Sequence, residues 1–138
     1  MALRQLADGS VVTFTPAAPV LADEQAKRLQ ALADLRWKKE ESGTAVDGTA
    51  IATDRTTQDK LIAGYIKATA DDTYAIADWK FGQGAFGALN AATIIAAANA
   101  VEAHVQACFT NEATLSASIM AATDMTELEA VDIETGWP

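Results

Sequence analysis

Three groups of residues in this chain have types and spacings that could do chemistry. The stretch FGQGAFG, residues 81–87, holds a literal G-x-G-x-x-G in Gly82, Gly84 and Gly87. In a dinucleotide-binding fold those glycines join a buried parallel strand to a helix whose free amides hold a pyrophosphate, and an acidic residue follows about 20 positions on, at the end of a second strand. Glu102 stands at that count, but inside a long helical pattern rather than on a strand. Asp78 and Lys80 also occupy the preceding segment, where a parallel core strand is apolar. Neither a Lys-bearing strand nor a His-Arg-Asp loop follows, so the kinase form of the motif fails too. The glycines read as a hairpin turn.

The second group is His104 and Cys108, spaced i, i+4 on one helical face, as a thiolate–imidazole pair would need. There is one His and one Cys in the chain, so no multi-ligand zinc site and no internal disulfide can be built from them. Cys108 falls in an apolar seam, and a small buried thiol is the ordinary fate of a lone cysteine. The third group is Asp71, Asp72 and Asp78, which lack the ligand spacing and fixed glycine of a calcium loop and read as a solvated turn. No catalytic, cofactor-binding or metal residue is assigned.

Positioning elements follow from the periodicity. Leu-Arg-Gln-Leu and Val-Val-Thr-Phe flank Asp8-Gly9, the signal of a type I′ hairpin in residues 2–15. Pro16 and Pro19 then mark a linker. From Asp23 a helix is expected, with Ala26, Leu29, Ala33 and Trp37 on its inner face and Gly43 ending it. A second Asp-Gly hairpin is centred on Asp47-Gly48. Asp54 caps a second helix expected to bury Leu61, Ile62, Tyr65 and Ile66. A third hairpin spans residues 74–89, and Asn90 caps the strongest helix, about residues 91–122.

That helix carries Ile94, Ala98, Val101, Val105, Cys108, Leu115 and Ile119 at alternating spacings of four and three, with Glu112 in the same seam. The rhythm suits a packing helix or an oligomer seam. A carboxylate there needs a cation or solvent. Arg36 is the preferred partner, solvation is the alternative, and Arg36 could equally pair with Glu40 four residues on. Asp124 with Glu127 opens a short final helix as a capping box. Trp37 and Trp79 are expected in the core and Trp137 partly exposed, as a partner anchor or as a clamp on the chain end. The fold class is therefore α+β, a small bundle of three to four helices with short antiparallel β-hairpins. Residues 1–20 form a hairpin arm with a proline linker, and residues 21–138 a helical domain.

Composition narrows the partners. The chain has 138 residues, enough for one domain with a real core, and its 19 acidic against 10 basic residues leave a net charge of −9. With no basic block, nucleic acid is repelled. The most apolar run, around IIAAANAVEAHV, is broken by Asn99, Glu102 and His104, so no membrane span is expected, and MALRQLADGS has no signal-like apolar core.

In combination, Arg36-Trp37, Glu41, Gly43, Gly48, Thr53-Asp54, Trp79-Lys80, AHVQACF at residues 103–109 with Phe109 at its end, Glu112 and the ending DIETGWP resemble a small domain of tailed-phage and prophage proteins. That domain has no assigned function and is often found at the C-terminal end of tail-fibre and tail-fibre-assembly polypeptides. The resemblance covers roughly residues 24–138. It implies a phage-tail context with no catalytic residues to carry over, and tail or fibre subunits as partners, with homo-oligomerisation open. Here the domain is nearly the whole chain, which disfavours a receptor-binding shaft. The expectation is a non-enzymatic structural or adaptor protein of the virion, made in the host cytoplasm. The alternative is a fibre-assembly chaperone that does not persist in the virion. Arg36, Trp37, Trp79, His104, Phe109, Glu112 and Trp137 are the structural or interaction candidates.

Overall fold

The computed structural model describes residues 2–81 and 84–138. The fold is α+β: four helices and three separate two-stranded antiparallel sheets among the described residues. In chain order these are β1 (Ala2–Gln5), β2 (Val11–Phe14), α1 (Leu21–Glu40), β3 (Thr44–Val46), β4 (Thr49–Ile51), α2 (Arg55–Ala70), β5 (Ala75–Lys80), β6 (Phe86–Asn90), α3 (Ala91–Ala121) and α4 (Met125–Ala130).

The spine is α3, whose 31 residues extend about 46 Å at the usual rise per residue. Asn90 starts it by accepting from the Thr93 amide at 2.9 Å. Helices α1 and α2 run antiparallel to this spine and lie end to end along it. Leu61 and Ala68 of α2 pack in two clusters with Ala91, Ile94, Ala97 and Val101 on the first half of α3. Leu32 of α1 packs with Ile119 on the second half, where Leu128 of α4 completes the cluster. The apolar seam of α3 is thus occupied within the chain.

Two inner faces differ from the periodicity reading. On α1 the buried residues are Leu32 and Glu40, while Ala26 is exposed and Trp37 is 49% exposed. Polar Arg36 and Glu40 take inward positions, which turns the helix away from the stripe that hydrophobicity alone selects. On α2 the inner stripe is Leu61, Gly64 and Ala68, and Ile62, Tyr65 and Ile66 face outward. Small residues win because the helices approach closely: a Cβ on Gly64 would lie 3.1 Å from the Ile94 side chain.

The hairpins also differ in detail. At Asp47-Gly48 both residues have positive φ, 47° and 79°, as a type I′ turn requires. At the first hairpin only Gly9 is positive. There Leu6 pairs with Ser10 around a three-residue loop, so the turn is the longer bulged kind and Asp8 instead accepts from the Ser10 amide at 2.9 Å. Every residue from Leu3 to Val20 is exposed. In the third hairpin β5 carries one extra residue between Ile76 and Trp79, so both turn toward the core and Asp78 stays outside. The strands around the glycine-rich loop are antiparallel, which is the hairpin expected; Gly82 itself lies outside the described residues. Gly87 leaves room for the Phe81 ring, whose nearest atom would be 3.0 Å from a Cβ at that position.

Candidate functional site

Five of the seven candidate residues meet where α1 ends against the middle of α3. The last turns of α1 supply Arg36, Trp37 and Glu40; α3 supplies His104, Phe109 and Glu112, with Cys108 beneath them; the start of α2 and the residues before it supply Thr53, Arg55 and Gln58. Arg36 resolves the alternatives left open for Glu112 by taking both carboxylates. Its Nε donates to Glu112 at 3.1 Å and its Nη1 donates to Glu40. The guanidinium also sits 4.4 Å from the centre of the Phe109 ring.

Glu40 is the residue that sequence reasoning missed as a buried site. Its side chain is 2% exposed, and its second oxygen receives Gln58 Nε2 at 3.4 Å with Arg55 Nη2 at 3.7 Å. A carboxylate sealed from water is tolerable only with such partners. The available signal was the i, i+4 spacing to Arg36, which by itself reads as a surface pair.

The end of α1 is closed by side chains from the other elements. Thr53, fully buried, donates its hydroxyl to the Glu40 carbonyl and accepts from the Gly43 amide at 2.9 Å. His104 Nε2 lies 2.9 Å from the Lys39 carbonyl. A carbonyl only accepts, so Nε2 carries the proton. These contacts satisfy carbonyls that a helix terminus leaves without intrahelical donors.

That tautomer bears on the thiol. Cys108 Sγ is 3.9 Å from the same Nε2, the nitrogen already protonated and committed to Lys39, so the ring cannot take the thiol proton there. Burial, with the Glu40 carboxylate adding to it, pushes the Cys108 thiol above its ordinary range. An activated cysteine needs the opposite surroundings. Among the described residues, no three His, Cys, Asp or Glu side chains are grouped to hold a metal.

Trp37, expected inside, stands at the rim of this network with the Arg55 guanidinium carbon 6.0 Å from its ring. The other two candidates lie apart. Trp79 is half-buried between the two clusters that join α2 to α3. Trp137 packs on the Leu32–Ile119 cluster and donates its indole N–H to the Ile133 carbonyl at 2.9 Å, so it clamps the chain end to the body. Asn111 holds the same segment by donating to the Thr135 carbonyl at 2.9 Å. Asp71 accepts from the Thr73 amide and hydroxyl, closing a local turn.

The arrangement can therefore lock three helices in one register, by charge pairing at the centre and by apolar clusters on either side. Among the described residues, no helix is long and apolar enough to cross a membrane. No curated protein and no solved structure matches the chain. Residues 23–135, which include the whole Arg36–Glu40–Glu112 network and its caps, match a protein family, and the chain belongs to that family, described as a domain of unknown function (DUF4376).

Proposed function

We propose that this protein is a non-enzymatic structural or adaptor subunit of a tailed bacteriophage, held among tail-tip, baseplate or fibre subunits through its N-terminal hairpin. The phage setting rests on the resemblance of the residues quoted above. The attachment mode rests on one observation: β1 and β2 expose apolar side chains that nothing among the described residues covers, with Leu3 72% and Phe14 58% exposed. The exposed segment from Thr15 to Val20, with its two prolines, spaces that hairpin from α1. A two-stranded ribbon with free edges joins a neighbour's sheet by main-chain pairing, and the apolar side chains then select the partner.

In this reading the helical body supplies rigidity and performs no reaction. The ion network joins the helices with the Arg36 guanidinium against Phe109, and burial favours the thiol form of its cysteine. Mass spectrometry of purified virions, with the chain quantified against a known tail subunit, tests the proposal. A fixed stoichiometry in the particle is expected, and removal of residues 1–18 should release the chain from it. Presence in infected cells but loss from finished particles would overturn the reading in favour of a fibre-assembly chaperone.

A further inference from the structure

A cleft of about 530 Å3 opens between α2 and the β5–β6 hairpin, lined by none of the ion-network residues and none of the N-terminal arm. Its lining reverses the charge of the molecule. In a chain with net charge −9, three lysines, Lys60, Lys67 and Lys80, border the cleft against one carboxylate, Asp78. Lys60 and Lys67 lie two helical turns apart, about 10 Å, on the stripe of α2 that also presents Gly64. Lys80 faces them from β5. Tyr74, Trp79 and Phe86 supply aromatic surface, and two of the ammonium groups already rest near rings: Lys67 Nζ 5.6 Å from Tyr74 and Lys80 Nζ 5.9 Å from Phe86. The volume lies in the range of ligand-binding clefts, and the combination of an apolar floor with a few convergent charges is their usual chemistry.

We propose that this cleft binds an extended acidic peptide segment of a partner protein, laid beside β5. Charge complementarity chooses an anion, and three details choose a peptide. The lysines border the cleft from mid-helix and from a strand, and the first turn of α2 reaches it only at Thr57, whose amide already donates to the Asp54 cap and so is not free for a phosphate. Apart from the lysines, side-chain hydrogen-bonding groups are few, Thr57, Asp78, the Tyr74 hydroxyl and the Trp79 indole N–H, too sparse for the hydroxyls of a saccharide. And among the described residues β5 pairs only with β6, leaving its other edge unpaired in that sheet, where a strand can add main-chain hydrogen bonds. Apolar side chains of the peptide then cover the aromatic floor while its carboxylates meet the lysines. The inference goes beyond the adaptor reading, because it depends on the cleft alone, whichever particle or cell contains the chain.

The test is fluorescence anisotropy on the full chain. The probe is a fluorescein-labelled peptide with a central Phe-Val pair flanked by three Glu on each side. Saturable binding that weakens with added salt is expected. The triple variant Lys60→Gln, Lys67→Gln, Lys80→Gln should weaken it about tenfold or more, and the corresponding triple Lys→Arg variant should retain it. All three side chains are exposed, so both variants should keep the parent circular-dichroism spectrum and melting point. Equal binding by the Gln variant, or equal binding of a peptide with Lys in place of Glu, would overturn the proposal. So would saturable binding of ATP in place of the peptide. Self-association in light scattering that the Gln variant abolishes would also overturn it, by giving the cleft to a second copy of the chain.

Discussion

Replacing Arg36 with Met removes the cation that touches both Glu40 and Glu112, and the cost can be worked from the surroundings. Breaking a buried ion pair from one side costs about 3–5 kcal/mol, because the remaining charge is sealed without compensation. Glu40 meets that condition at 2% exposure, but it keeps Gln58 and the more distant Arg55, which places the loss near the lower end. Glu112, 21% exposed, can be partly rehydrated and adds little. The Phe109 contact adds about 0.5–1 kcal/mol. Met keeps the packing of the aliphatic stem and adds no further loss, so the expected total is about 3.5–4 kcal/mol. With an unfolding entropy of about 2.1 cal/mol/K per residue over 138 residues, Tm should fall by about 13 °C. Urea unfolding followed by circular dichroism measures the free energy, and a thermal scan the Tm. The double variant Arg36→Met, Glu40→Met should regain most of the loss, since it removes the orphaned charge together with its partner. A loss below about 1 kcal/mol for the single variant, or a double variant no more stable than the single, would refute the assignment of Glu40 as a sealed, Arg36-dependent carboxylate.

Other outcomes follow from single contacts. Asp54→Ala should cost about 1 kcal/mol, because its carboxylate caps α2 by accepting from the Thr57 amide. Hydrogen bonds from Thr57 hold the Asp54 carboxyl below its ordinary range, so its contribution is present above that range and lost as pH falls through the lowered value; urea melts at pH 6 and pH 3 should show the stability gap between parent and Asp54→Asn narrowing with acid. Burial raises the Cys108 thiol, so that part of the stability is lost as pH rises past the ordinary thiol range, and Cys108→Ala should flatten the alkaline limb of a stability–pH curve. Removal of residues 1–18 should change Tm by less than about 2 °C, because those that precede the helical body from Leu3 onward are exposed. Gly136→Ala should loosen the chain end, seen as a red shift in Trp137 emission, since Gly136 has φ of 80° and an added Cβ would collide with Asn111.

Local chemistry was enough to read the elements of this protein. Asp54, Asn90 and Asp124 each accept from an amide three residues on, so a side chain and its own neighbours decide where those helices start. Gly9, the Asp47-Gly48 pair and Gly84 mark chain reversals for the same reason: positive φ is a property of the residue itself. Inner faces were less legible. Hydrophobic periodicity assumes that the most apolar stripe turns inward, and that holds along most of α3. It fails on α2, where the interhelical distance admits only Leu61, Gly64 and Ala68 and leaves larger apolar residues outside. It fails again on α1, where Arg36 and Glu40 face the spine and Trp37 does not. A charged residue is allowed inside only if another element delivers its partner, and Gln58, Arg55 and Glu112 come from 15 or more positions away in the chain. The sequence by itself determined the helices, hairpins and caps, because those depend on backbone geometry within a few residues. Which side of each helix is buried, and which lysines share a cleft, was decided by the tertiary structure, because closeness of approach and desolvation are properties of the assembled helices.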